Sequence, residues 1–351
     1  MMKYFLAAAA VCACAAVLAA PALTAQYISQ AVSSCIEVMI PSLFAFTFLS
    51  VYLQNSGLYK IALKPITAPL SLLLGIDGEL CAVFVLSMTG GFPVGAKLIG
   101  RLRAQGRISP ADAARMLCFC YASGPSFIIG IAGVRVFSSA AVGGVIFAAC
   151  ALSSLIIAVI ICRFGGKIEL TRESSSADSR GGCFVDSVSA AARVMFTICA
   201  MICGFAVIAA LLDISGAMRL AERFFGLFAG ENSAAVLPSF LEISRIAMVK
   251  PDAFAVPLCA GLLSFGGVCV VMQISAVYGE GFPLRRFLLW RIPAAVMAAV
   301  FSLPALLLEQ PAAQTANDFA AAEPFSVNAL LSLCTAAMSA ILLLGESRKA
   351  A

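Results

Sequence analysis

The residues of this chain that could do chemistry stand inside apolar stretches interrupted by glycine and proline. In MTGGFPVGAKLIGRLRAQGRISP, residues 88–110, Gly90, Gly91, Pro93 and Gly95 precede Lys97, Arg101, Arg103 and Arg107. Proline suits the first turn of a helix, where its missing N–H costs nothing. Gly90-Gly91 is therefore the expected break, and Pro93 starts a short helix running to about Arg103. The free N–H groups at such a start carry partial positive charge. Lys97 follows Pro93 by four residues, on the same helix face. The chemistry implied is attraction of an anion.

The same device returns in YASGPSFIIGIAG, residues 121–133. Ser123 or Gly124 can cap, Pro125 opens the next helix, and Ser126 offers a hydroxyl. Between the two breaks, Ser109-Pro110-Ala111-Asp112 forms a helix start with an acid at its third position. It begins a basic helix carrying Arg115. Further on, PSFLEISRIAMVKPD (238–252) lets Pro238 open a helix bearing Glu242, Ser244 and Arg245. A further break falls at Ser264-Phe265-Gly266-Gly267, with Gln273 following in apolar surroundings. Ionisable residues at membrane depth are costly and mark function. Glu242 and Arg245 are three apart, and the empty site is expected to hold one against the other. The plain alternative for the glycines is close helix packing.

Composition decides what must position these residues. Hydrophobic residues make up 62% of the chain and charged residues 12%, with a mean hydropathy of +1.02. A soluble domain is about half apolar and a quarter charged. The expected fold is an all-α polytopic membrane protein, and the lipid bilayer is its first partner. The 23 Lys+Arg against 18 Asp+Glu are set between apolar spans, which reads as membrane orientation and not nucleic-acid binding. Without histidine there is no Ser-His-Asp or Cys-His catalysis and no usual zinc site. No Asp pair or Ser/Lys dyad stands in recognisable context, so no enzyme activity, catalytic residue, metal or cofactor is expected. Most of the 14 cysteines lie in apolar runs, where cysteine packs as a small hydrophobe.

A spanning helix needs about 20 apolar residues. Candidates are 4–23, 30–53, 136–162, 187–212, 253–278, 288–308 and 325–344, while 61–99, 116–135 and 217–249 are apolar but interrupted. The first is taken as an uncleaved signal-anchor within residues 1–27. Arg219, Glu222 and Arg223 form the polar face of an interfacial helix. Lys60 and Lys64, Lys97 to Arg115, Arg163 to Arg180, Arg285, Arg286 and Arg291, and Arg348 with Lys349 mark cytoplasmic sides. Both termini are then cytoplasmic, and the acidic 309–323 loop faces out. Between Lys64 and Lys97 the chain dips in and returns, as a re-entrant hairpin turning near Asp77-Gly78-Glu79.

The hydrophilic stretch 163–186 is a linker dividing two comparable halves, 28–162 and 187–308, before an outer loop and last span at 309–351. By the charge rule, helices 30–53 and 187–212 run in opposite directions, the signature of an inverted repeat. Irregular backbone at membrane depth survives only inside protein or along a watery cavity. The expected architecture is therefore a transporter-like bundle with broken helices.

SMTGGFPVGAKLIGRLRAQGRIS followed by MLCFCYASGPSFIIGIAG resembles the paired signature of the YlbJ-type sporulation integral membrane proteins. That family stands with the nucleoside-recognition (GATE) domain proteins, whose fold resembles half of a concentrative nucleoside transporter. The LEIS and SFGGVCVVMQ segments match the second-half signature more loosely. The resemblance implies a multipass protein of the mother-cell or outer forespore membrane, acting in spore maturation, with the dipicolinate dianion as cargo. A departure is Cys120-Tyr121-Ala122, which stands where more amide-rich residues are usual.

Two functional readings follow. One is a secondary transporter or facilitator of a small anionic or nucleoside-like solute, with its site between the breaks at 90–97, 123–126, 238–245 and 264–273. The other is a non-transporting scaffold that recruits sporulation membrane proteins, or copies of itself, through the 163–186 loop and the helix at 109–118.

Overall fold

A computed structural model describes residues 2–171, 183–252 and 254–307. The expected outer loop, the last span and residues 172–182 of the linker lie outside the described residues. Among the described residues there are helices and no strand. Helix α1 (Met2–Ala19) ends at Ala20, because Pro21 occupies the first turn of α2 (Pro21–Ser34). The chain bends there by 96°. The span expected at 30–53 therefore begins earlier, at Pro21. It continues through a π-helical turn at Cys35–Met39 into α3 (Ile40–Asn55).

Helices α4 (Tyr59–Ala62) and α5 (Lys64–Leu74) lead to α6 (Gly78–Gly90), which meets α7 (Phe92–Ala104) at Gly91. The chain bends by 110° between α5 and α6, at the turn expected near Asp77-Gly78-Glu79, and turns back again at Gly91 to make an α6–α7 hairpin. Its base is closed by Arg107, which donates to both Glu79 carboxylate oxygens at 2.7 and 2.9 Å. The Tyr59 hydroxyl donates to Glu79 at 2.6 Å, so residues 59 to 79 start and finish at one level. Asp77 caps α6 by accepting from the Glu79 N–H, at 2.8 Å. Each arm of α6 and α7 rises about 20 Å, enough to carry Gly91 to mid-membrane.

Helix α8 (Pro110–Leu117) starts as its sequence requires, with Ser109 accepting from the Asp112 N–H at 3.1 Å. The chain then unwinds to Gly124 before α9 (Pro125–Phe127), a π-helical stretch Ile128–Val136 and α10 (Ala140–Phe164). In the second half, α11 (Cys183–Ile214) crosses first. Helix α12 (Ala217–Ala229) buries none of its residues, and Leu220, Phe224, Leu227 and Phe228 are exposed. That suits a helix lying at a membrane surface.

Helix α13 (Ser233–Leu241) ends at Glu242, and a 3-10 turn, Ile243–Met248, carries the chain back. This second hairpin is closed at its base by Asn232. Its amide donates to the Lys250 carbonyl at 3.0 Å and to Asp252 at 2.7 Å, and its oxygen accepts from the Lys250 N–H. Pro238 thus lies inside a helix and does not open one; Glu242, with φ −141°, stands at the turn. Helices α14 (Ala255–Phe265) and α15 (Gly267–Tyr278) meet at Gly266, and α16 (Leu284–Phe301) follows.

Among the described residues, four helical stretches are long and apolar enough to cross a membrane, or up to six counting bent pairs. Two contacts fix the directions of the first and second halves. Asn55, at the end of α3, donates to Ser187 at the start of α11, 3.0 Å away. Tyr27, near the start of α2, donates to Asp213 at the end of α11, 3.1 Å away. The two rods are antiparallel. Between Ser187 and Asp213, α11 rises about 39 Å, close to a bilayer with its headgroups.

Arg101, Arg103, Arg107, Arg115 and Arg163 gather at the Ser187 end, hereafter the basic end. There Arg103, Arg115 and Arg163 serve backbone carbonyls at or just beyond helix ends. Arg163 donates to Leu72 and Leu73 at the end of α5, at 2.6 and 2.8 Å. Arg115 donates to Ile161 at 3.0 Å and to Gly166 at the end of α10, and pairs with Asp112 at 3.0 Å.

Candidate functional site

The two hairpins enter from opposite ends and their tips meet. Gly91 and Pro93 of the first, and Glu242 and Ile243 of the second, line one cavity with Ser123, Gly124 and Gln273. Its volume is about 30 Å³, room for about one water. Six expected residues, Gly91, Pro93, Ser123, Gly124, Glu242 and Gln273, thus converge from the four interrupted segments.

Each tip packs closely against another break, the first against Gly124 and the second against Gly267. Gly91 has φ 83° and ψ 177°, a conformation that L side chains rarely adopt. A Cβ there would lie 3.5 Å from the Gly124 nitrogen. A Cβ on Gly95 would overlap the Cys120 carbonyl oxygen, and one on Gly90 would come within 2.8 Å of the Ser50 hydroxyl. Gly266 and Gly267 have φ 88° and 79°. A Cβ on Gly266 would overlap the Tyr121 hydroxyl, and one on Gly267 would lie 3.0 Å from the Phe240 carbonyl oxygen. The glycines are thus both breaks and contact points: Gly91, Gly95 and Gly267 meet backbone, while Gly90 and Gly266 meet side chains.

The remaining expected residues form a shell. Pro125 opens α9 behind Gly124, beside the half-buried Ser126. Ser264 buries a hydroxyl that has no hydrogen-bond partner. The Gln273 amide donates to the Cys269 sulfur at 3.2 Å, a weak acceptor. Lys97 lines neither this cavity nor the next one, and the charges acting on it are those of Arg193 and Arg101.

A larger cavity of about 290 Å³ opens toward the end opposite the arginines. Its walls include Gln26, Tyr27, Gln30, Asp213, Met218, Glu242, Ser244 and Arg245. Glu242 and Ile202 line both cavities, so they form the partition between vestibule and tip junction. The expected Glu242–Arg245 ion pair is absent among the described residues. Glu242 accepts instead from the Ser244 N–H at 2.9 Å and from the Ser244 hydroxyl. Arg245 reaches the Gln30 carbonyl oxygen at 2.9 Å and lies over the Tyr27 ring, 5.6 Å from its centre. The physical reason is local: the sharp turn at Glu242 aims its carboxylate at the N–H groups it must cap.

In sequence, the chain resembles the sporulation integral membrane protein YlbJ of Bacillus subtilis (strain 168). The two are 34% identical over 136 residues, covering 38% of this chain and 33% of that protein. The matched stretch spans about a third of the relative's length. No family model matches the chain, and no solved structure matches it.

Several residues of the site carry no signal that sequence reasoning used. The Tyr121 hydroxyl donates to the Phe265 carbonyl at 2.9 Å, satisfying the end of α14 at the Gly266 break. Arg291 reads in sequence as a mark of membrane orientation, but it is fully buried. Its guanidinium donates to the Cys118 carbonyl and sits 4.8 Å from the Tyr121 ring centre. It supplies a donor that the unwound 118–124 segment lacks within itself. In the vestibule, Tyr27 and Asp213 were likewise unmarked, since each stands among ordinary polar residues near a span end.

Proposed function

We propose that the chain is a secondary transporter or facilitator of a small anionic solute, with the vestibule as its waiting site. The observation that carries this is Arg245, a cation on the wall of a 290 Å³ cavity with no carboxylate paired to it among the described residues. A guanidinium held by a neutral amide and a ring face, near the Asp213 end of α11, keeps donors free for an anion. The cavity's size lies near the lower edge of small-molecule sites, about 300–1,000 Å³.

Two hairpins with opposed entries, and halves whose first helices run antiparallel, support an inverted-repeat bundle. The arginine-rich end is then cytoplasmic, and the vestibule opens outward. Passage needs the Glu242 tip to part from Gly91 and Gly124, joining the vestibule to the small cavity. Opening is a rigid tilt of the second hairpin, which parts the close contact of Gly267 with Phe240 and releases Arg245 from Gln30.

Similarity to a sporulation membrane protein supports a role in a spore-forming cell, and dipicolinate, a rigid aromatic dianion, is the favoured cargo. The chain has no catalytic role in this reading. The test is flux in proteoliposomes of the full chain, with labelled dipicolinate and a labelled nucleoside. Dipicolinate should cross faster than in empty vesicles and faster than the nucleoside. Faster nucleoside flux overturns the anion reading, and no flux of either leaves the scaffold.

A further inference from the structure

Lys97, Arg101 and Arg193 form a second group of cations, apart from both cavities. Arg101, on α7, donates to the Asn55 oxygen at 2.6 Å, and the Asn55 amide donates to Ser187 of α11 at 3.0 Å. This link sets the two helices level. From it, Lys97 lies four residues deeper along α7, about 6 Å. Arg193 lies six residues deeper along α11, which runs the other way, about 9 Å. The two cations therefore arrive at similar depth below the basic end, and the charge of Arg193 acts on Lys97 together with that of Arg101.

No acid pairs with them among the described residues. Among the described residues the ion pairs are Arg107–Glu79 and Arg115–Asp112, and Asp186, two turns before Arg193 on α11, pairs with none of the three. Lys97 is half-buried while Arg101 and Arg193 are exposed. Three like charges at the rim of the apolar layer are unfavourable unless an anion joins them. Beside them the outward face of α11 is apolar, with Val185 and Phe196 65% and 78% exposed. A ligand matching this surface has a phosphate at one end and acyl chains at the other.

We infer that Lys97, Arg101 and Arg193 bind the phosphate headgroup of an anionic phospholipid in the leaflet at the basic end. Lys97 supplies a compact ammonium for the phosphodiester from the helix wall. Arg193 approaches from the lipid side, and Arg101, held by Asn55, marks the rim. The lipid tails then cover the exposed face of α11. Basic pockets between spanning helices recognise such headgroups.

The test uses the full chain in nanodiscs of phosphatidylcholine alone or mixed with phosphatidylglycerol. Thermal unfolding and native mass spectrometry read stability and retained lipid. Phosphatidylglycerol should raise the Tm of the wild type and remain bound. Retention should fall roughly fivefold for each cation removed, in Arg193→Gln and then in Lys97→Gln/Arg193→Gln. Arg193→Gln, at an exposed position, keeps the test open if the double variant fails to fold. Arg245→Gln should retain the lipid fully, which separates this site from the transport reading. Equal retention by wild type and Arg193→Gln overturns the inference. So does a Tm rise of the same size with inorganic phosphate in phosphatidylcholine discs, which would make the group a station for aqueous anions.

Discussion

Glu242 holds the backbone N–H of Ser244 at 2.9 Å, and so does not neutralise Arg245 one residue further on. A carboxylate that caps its own turn keeps the hairpin tip in shape and leaves the neighbouring cation for a ligand. Glu242→Ala should therefore do two things. It removes the cap, lowering stability by about 1 kcal/mol, and it loosens the partition between the two cavities. Thermal unfolding and vesicle leak of a small anion would show both. Unchanged stability would mean that the tip is held by something other than this cap.

The glycines can be separated by what surrounds them. A methyl group at Gly95 collides with the Cys120 carbonyl, whereas at Gly144, inside α10, it meets nothing within 4 Å. Gly95→Ala should destabilise the chain by about 2 kcal/mol or more, as overpacking against rigid backbone does. Gly144→Ala should be neutral or stabilising by up to about 1 kcal/mol, from helix propensity. Equal effects in unfolding measurements would make the first hairpin's packing at Gly95 ordinary.

The base of the first hairpin rests on Arg107 and Glu79, whose side chains keep only 10% and 15% of their exposure. Removing one partner strands the other in a poorly hydrated place. Glu79→Gln and Arg107→Gln should each cost more than half of what the double variant costs. The double-mutant cycle should give a coupling of about 1–3 kcal/mol. A coupling near zero would show that the hairpin closes without the ion pair.

Much of this site is legible in sequence where backbone geometry dictates residue type. Gly91 and the pair Gly266-Gly267 declare breaks because few residues tolerate their positive φ, and Gly124 does so because Pro125 behind it opens a helix. The turn at Glu242 is harder to read, since Pro238 suggests a helix start but the chain folds it into the helix interior. Arg291, Tyr121, Tyr27 and Asp213 are harder still. Each serves a carbonyl or hydroxyl that is distant in sequence, and nothing local tells which carbonyl will lack a partner. Lys97 misleads for a related reason: four residues after Pro93 fixes its depth, but the packing of α11 decides which wall it faces.

The central claim is that Arg245 receives an anion in the vestibule. Its most direct measurement is flux of labelled dipicolinate and of a neutral nucleoside through the same proteoliposomes, comparing wild type with Arg245→Gln. The substitution keeps a polar side chain beside Gln30 and Tyr27 and removes only the charge. Dipicolinate flux should fall at least about tenfold, the loss of one charge-assisted contact of about 1.5–3 kcal/mol, while nucleoside flux stays where it was. Equal loss for both solutes, or none for either, would contradict an anion site at Arg245.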